Sequence, residues 1–110
     1  MSDNYLFTID FNNDQGTYTN ISSIINKYGL PNTIIEIGVF EGRTTVWMAE
    51  VIGELNKNLK IYAIDPHSES ADLAQNIPDA GKTFKKNIDA CPYKNIEYIN
   101  CGTEAYALAS

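Results

Sequence analysis

The sequence predicts an α/β fold with a parallel sheet. Three short apolar runs, typical of buried strands, alternate with amphipathic stretches that are typical of helices. A turn that contains Gly38 and Gly42 follows the first run and precedes a helical stretch. A strand, a glycine-bearing turn and a helix in this order place a nucleotide-like ligand at the carboxyl end of a parallel sheet.

The chain is predicted to begin with an irregular lead-in, residues 1–18, which is rich in Asn and Asp. A first helix is expected over residues 19–28, because apolar side chains recur there at the spacing of one helix face. Gly29 then ends this helix in a left-handed conformation. Residues 19–110 form the predicted domain, a partial ligand-binding domain.

The strands are predicted at residues 33–39, 60–64 and 95–100, with helices at residues 44–55 and 82–90 between them. The result is a Rossmann-like parallel sheet with flanking helices, truncated to about three strands, since a complete sheet of this kind has about six. We therefore expect the chain to be the amino-terminal portion of a longer protein. Without its usual neighbour, the apolar first strand would present an unpaired edge, which favours self-association.

The composition disfavours several classes of function. A net charge of −6 and a pI of about 4.5 disfavour a nucleic-acid surface, which needs clustered Lys and Arg. No apolar run approaches the ~20 residues that span a bilayer, and the first residues lack the pattern of a secretion signal. Cys91 and Cys101 belong to no Cys-x-x-Cys or Cys/His cluster, so no metal site is predicted. A cytoplasmic protein without membrane or nucleic-acid partners is expected.

Two segments carry a family resemblance: Glu36-Ile-Gly38-Val-Phe-Glu-Gly42-Arg-Thr44, and Ile-Tyr-Ala-Ile-Asp65-Pro66. Together they resemble the start of a class I S-adenosylmethionine-dependent methyltransferase of the small O-methyltransferase type, whose first motif runs E-[IL]-G-x-[YF]-x-G-x-[ST]. The resemblance covers roughly residues 20–110. It implies S-adenosyl-L-methionine as the cofactor, and methyl transfer to a small-molecule hydroxyl as the activity of the full-length protein.

The resemblance also implies which residues serve the cofactor. Contacts are expected from Glu36, Gly38, Phe40, Gly42, Thr44, Asp65, His67, Gly102 and Thr103. Acceptor-binding residues and any metal ligands would follow a fourth strand, so no catalytic residue is named. Glu41 and Arg43, the charged residues that flank Gly42, are expected to be solvated.

The residues at the ends of the first two strands also have physical reasons to contact a ligand. Gly38 and Gly42 allow positive φ and a close approach of the backbone. Glu36 is a carboxylate in an apolar strand, where it needs a ligand ammonium or turn amides as a partner. Asp65 ends the second strand, 27 residues after Gly38 against the ~20 typical of a ribose-binding acid. Its alternative role is a cap for the segment that follows.

The other predicted contacts depend on position in the turn or on the resemblance. Phe40 stands where a dinucleotide-binding turn has its second glycine, so its ring crowds a pyrophosphate and favours S-adenosylmethionine over NAD. Thr44 is expected to cap the helix or to contact the donor's carboxylate. By the resemblance, His67 lies near the adenosine, and Gly102 and Thr103 lie near the adenine edge.

Two other functions stay open at this point. One is a fragment of an NAD-type Rossmann oxidoreductase, which Phe40 disfavours. The other is a non-enzymatic remnant that binds a partner chain, because the exposed edge of the first strand could accept strands from another polypeptide.

Overall fold

The computed structural model describes residues 5–7, 14–65 and 80–100. Their helices and strands are α1 Asp14–Tyr28, β1 Thr33–Ile37, α2 Arg43–Leu55, β2 Lys60–Ile64, α3 Ala80–Ala90 and β3 Ile96–Ile99. The three strands form one parallel sheet in the order β1-β2-β3. The predicted fold class, a Rossmann-like parallel sheet with flanking helices, is confirmed.

One face of the sheet carries the hydrophobic core. Ile34, Ile61 and Ile96 are register partners across the three strands, and side chains in one such row point to the same face. The buried face of α2 packs on this row. Phe84 of α3 packs on Ala63, which lies two residues after Ile61 and so on the same face. Both helices therefore cover the same side of the sheet.

The first helix is longer than predicted. It begins at Asp14, whereas residues 1–18 were expected to be irregular. The additional turn contains Tyr18, whose ring stacks on Trp47 of α2 at a centroid distance of 4.3 Å and an interplanar angle of 12°. This tertiary contact stabilises a turn that the local sequence, with Gly16, does not favour. The end of the helix is as predicted, since Gly29 has φ +92° and donates its N–H to the Ile25 carbonyl at 2.7 Å.

The strand ends also differ slightly from the predicted bounds. β1 ends at Ile37 and not at residue 39, because Gly38 turns the backbone to φ +78°. Its N–H nevertheless donates to the Ile64 carbonyl at 2.9 Å, so the β1–β2 ladder reaches the turn. α3 begins two residues earlier than predicted and β3 is shorter by one residue at each end.

The opposite face of the sheet is apolar and partly open. A strand buried on both faces was expected for β1, but Ile35 and Ile37 are 58% and 62% exposed. Their register partners on β2 are Tyr62 and Ile64, and Ile99 of β3 continues the second row. None of the described helices packs on Ile35 or Ile37, so the predicted burial on both faces is wrong for β1 within the described ranges.

The described residues contain neither a candidate membrane-spanning helix nor a candidate metal site. No helix there combines the length and the apolar character needed to cross a membrane. In the same ranges, no three His, Cys, Asp or Glu side chains converge to hold a metal ion. Cys91 is buried with a free thiol, and Cys101 lies outside the described residues.

Candidate functional site

The turn between β1 and α2 has an unusual backbone. Gly38, Phe40 and Gly42 have φ angles of +78°, +50° and +87°. Glycine adopts such angles readily, but a left-handed conformation costs other residues roughly 1–2 kcal/mol. Phe40 is therefore held in a strained conformation by its surroundings, and strain of this kind concentrates at functional sites.

Asp65 supplies the interaction that fixes this turn. Its Oδ2 accepts hydrogen bonds from the N–H groups of Val39 at 2.8 Å and Phe40 at 3.1 Å. The residue is only 8% exposed, and its own N–H donates to the Ile99 carbonyl at 3.1 Å. Asp65 therefore joins the ends of all three strands to the turn, in addition to any part it has in binding a ribose. The predicted helix cap falls on residues after 65, which lie outside the described residues.

Glu36 lies beside this arrangement near the end of β1. Thr45 of α2 donates its hydroxyl to the Glu36 carboxylate, so the protein partner of this carboxylate is a side chain and not the turn amides, which were the alternative to a ligand ammonium. The pKa of Glu36 is raised from 4.5 to about 7, mainly because the carboxyl group is buried. The Thr45 hydrogen bond lowers this pKa, and the negative charge of Asp65 raises it. The carboxyl edge of the sheet therefore holds two neighbouring acids, one of which changes its charge near neutral pH.

The two glycines of the turn have different surroundings. A Cβ atom at Gly42 would lie 2.7 Å from Cδ1 and 3.0 Å from Cε1 of Phe84, which is buried. Among the described residues, no atom lies within 4 Å of the position that a Cβ atom at Gly38 would take. Gly42 is thus required by protein packing against α3, whereas none of the described residues packs against Gly38. Of the two glycines predicted to approach a ligand, only Gly38 has room for one beside its Cα atom.

Asn87 is a site-supporting residue that the sequence reasoning missed. Its Oδ1 accepts from the Leu6 N–H at 2.8 Å, and its Nδ2 donates to the carbonyls of Leu6 at 2.9 Å and Glu41 at 2.8 Å. The side chain is 1% exposed and connects residues 5–7, α3 and the glycine turn. The available signal was an amide on the buried stripe of α3, between Phe84 and Ile88, where an apolar residue is usual.

The charged residues of the turn are not simply solvated. Glu41 is 4% exposed, so the expectation that it is a solvated turn charge is wrong. Arg43 is half-buried, and its guanidinium carbon lies 4.4 Å from the centroid of the Phe7 ring. This is a cation–π distance, and it places residues 5–7 against the start of α2.

The remaining predicted contacts fall in two groups. Thr44 lies in the first turn of α2, whose N-cap is Gly42, and no side chain makes the cap hydrogen bond. The expected capping role of Thr44 is therefore wrong. His67, Gly102 and Thr103 lie outside the described residues. The structure thus places Glu36, Gly38, Phe40, Gly42 and Asp65 at one edge of the sheet, and Thr44 in the first turn of the helix that follows.

Comparisons with known proteins found no relative of this chain. No model of a known family, no curated protein and no solved structure matches the chain.

Proposed function

We propose that the chain binds S-adenosyl-L-methionine and is the cofactor-binding part of a methyltransferase whose acceptor is a small-molecule hydroxyl. The observation that carries this proposal is the pair of carboxylates, Glu36 and Asp65, at the carboxyl ends of adjacent strands. Register pairs Glu36 with Ala63, two residues before Asp65, so both acids lie at the same end of the sheet. They flank a turn of the kind that receives nucleotide-like ligands.

The charge of this edge favours a cationic ligand. S-adenosylmethionine carries a sulfonium and an ammonium, whereas NAD would bring a pyrophosphate with two negative charges. In dinucleotide-binding folds, a pyrophosphate is received by backbone amides at the turn and the helix start. Here the amides of Gly38, Val39, Phe40 and Gly42 already donate to protein acceptors. A pyrophosphate at this turn would have to displace Asp65 and approach two acids, which disfavours the oxidoreductase alternative.

The described side chains suggest how each part of the cofactor would bind. Glu36 would face the ammonium of the methionyl group, directly or through water. Asp65 would accept hydrogen bonds from the ribose hydroxyls while it holds the turn, because an ionised carboxylate has about four acceptor positions. The open space beside Gly38 would receive the cofactor backbone between these two groups. Methyl transfer is an in-line displacement at the sulfonium methyl carbon, so the main task of the protein is alignment of donor and acceptor.

A calorimetric titration with S-adenosylmethionine, S-adenosylhomocysteine and NAD tests the proposal. Asp65→Asn removes the charge but keeps an oxygen that can accept from the turn amides, so the variant is expected to fold. We expect it to weaken binding of the adenosyl compounds by tenfold or more, the effect of about 1.4 kcal/mol lost from a charged hydrogen bond. Asp89→Asn, an identical change on the exposed surface of α3, is the matched control and should bind as the wild type does.

The outcomes separate the alternatives. Binding of both adenosyl compounds, with a specific loss in Asp65→Asn, supports the proposal. Binding of NAD alone would assign the chain to the oxidoreductase class. A folded wild type that binds none of the three ligands, or an equal loss in both variants, would refute a cofactor site at Asp65.

A further inference from the structure

Along its outer edge, β1 has backbone N–H and C=O groups that pair with no other strand in the described part of the chain. The Lys60 N–H donates to the Asn32 carbonyl at 2.9 Å, and the Gly38 N–H donates to the Ile64 carbonyl at 2.9 Å. Backbone groups alternate in direction along a strand, so even-numbered residues of β1 face β2 and odd-numbered residues face away. Thr33, Ile35 and Ile37 therefore direct N–H and C=O groups outward, where no described strand pairs with them.

The surface around this edge is apolar. Ile35 and Ile37 are mostly exposed, and so is Leu55 of α2. On α2, a Cβ atom added at Gly53 would lie 3.4 Å from Cδ1 of Tyr93, so this side of the helix faces Tyr93. Residues turn by about 100° along a helix, so Val51, two residues earlier and 43% exposed, points away from Tyr93. The end of α2 is tied to the start of β1, since Asn56 Nδ2 donates to the Pro31 carbonyl at 2.8 Å.

β1 lacks the features that protect the edges of natural sheets. Such edges commonly carry an exposed lysine, a proline or a bulge, each of which prevents pairing with another chain. Residues 33–37 contain none of them, and the one charged side chain, Glu36, is directed to the core face. β3, the other outer strand in the described ranges, carries the exposed Glu97 and is preceded by Lys94. Of the two outer strands in the described ranges, β1 is therefore the one better suited to pair with a strand of another chain.

We infer that β1 pairs with β1 of a second copy of this chain, antiparallel about a two-fold axis at Ile35. In this register, Ile35 faces Ile35 of the second copy and Thr33 faces its Ile37, so all outward backbone groups form hydrogen bonds. Glu36 then lies opposite Ile34 of the second copy. A register centred on Glu36 would place two carboxylates opposite each other, and like charges in that position are destabilising. The product is one continuous sheet of six described strands, and this inference does not depend on the proposed function.

Two matched substitutions test the inference. Ile35→Lys places two ammonium groups opposite each other at the two-fold axis. Ile24→Lys makes the same change on α1, at a residue that is also 58% exposed. Sedimentation velocity of the 110-residue chain should show a species of twice the 12.2 kDa chain mass for the wild type and for Ile24→Lys. Ile35→Lys should be monomeric at the same concentration, with a dimer dissociation constant raised by ~10-fold or more.

Circular dichroism first establishes that both variants are folded. A wild type that is monomeric at high concentration would overturn the inference, and so would a dimer that both variants retain. Assemblies larger than a dimer would also contradict it, because pairing about a two-fold axis consumes the β1 edge of both copies. If Ile35→Lys does not fold, Ile35→Thr gives the same discrimination, since it keeps a residue suited to a strand and removes apolar contact at the axis.

Discussion

The contact between Gly42 and Phe84 allows a sharp test of how α3 shapes the candidate site. Gly42→Ala adds a Cβ atom 2.7 Å from Cδ1 of Phe84, a distance that requires one of the two to move. Movement of the ring is restricted, because Phe84 is fully buried and its ring lies 4.9 Å from the ring of Tyr98. The glycine is equally restricted, since it is the N-cap of α2.

Two costs add at this position. A left-handed conformation, here φ +87°, costs an alanine roughly 1–2 kcal/mol. Insertion of a methyl group into a packed core costs about 1–3 kcal/mol more. We therefore expect Gly42→Ala to lower the free energy of unfolding by about 2–5 kcal/mol, a large part of the ~5–15 kcal/mol that is typical of a domain. Gly38→Ala should cost only the roughly 1–2 kcal/mol of its left-handed conformation at φ +78°, because no atom of the described residues lies within 4 Å of the new methyl group.

Urea unfolding followed by circular dichroism measures both variants. Phe84→Leu completes a double-mutant cycle with Gly42→Ala. Because the ring is then absent, Gly42→Ala should cost at least about 1 kcal/mol less in the Phe84→Leu background than in the wild type. If Gly42→Ala costs no more than Gly38→Ala, or if the cycle shows no coupling, the ring does not determine the residue at position 42 and the reasoning is refuted.

Three further predictions concern the polar residues around the turn. The pKa of Glu36 is about 7 when folded and 4.5 when unfolded, so its stabilising contribution is complete below pH 4.5 and lost as the pH rises to about 7. Glu36→Gln should remove this decline, which amounts to about 3 kcal/mol, and equal pH slopes of urea midpoints in variant and wild type would contradict the prediction. Asn87→Ala leaves the Glu41 carbonyl and the Leu6 backbone without their partner, so we expect a loss of about 2–4 kcal/mol in urea unfolding, and a loss below 1 kcal/mol would be inconsistent with a buried bridge. The N–H groups of Val39 and Phe40 donate to Asp65, so Asp65→Ala should accelerate their hydrogen exchange. We expect this acceleration to be at least ~10-fold greater than in Asp89→Ala, and equal exchange rates in the two variants would show that Asp65 does not hold the turn.

Much of the fold could be predicted because it depends on local patterns. Apolar runs and helical spacing located the strands and helices, and Gly29 and Gly38 have the positive φ angles that their positions require. The boundaries that were missed depend on contacts between distant residues. The first turn of α1 depends on Tyr18 packing against Trp47, a partner that no local pattern reveals.

The candidate site shows the same limit. Glu36 and Asp65 could be identified as acids at strand ends, since strand and turn patterns determine that placement. The partner of Glu36 could not, because Thr45 reaches it only through the first turn of α2. The importance of Asn87 depends on three segments that meet only in the folded chain. Glu41 was misjudged for the same reason, since burial of a turn charge follows from what packs over it.

The hydrogen bonds of Asn87 have a consequence for the order of folding. They join positions 81 and 46 residues apart, and long loops are closed late because their entropic cost precedes any gain in contacts. During synthesis, β1, the glycine turn and β2 are complete before Asn87 has left the ribosome. The Glu41 carbonyl and the Leu6 backbone can form their hydrogen bonds with Asn87 only after α3 has emerged. A nascent chain therefore contains β1 and β2 before it contains the side-chain amide that links the glycine turn to residues 5–7.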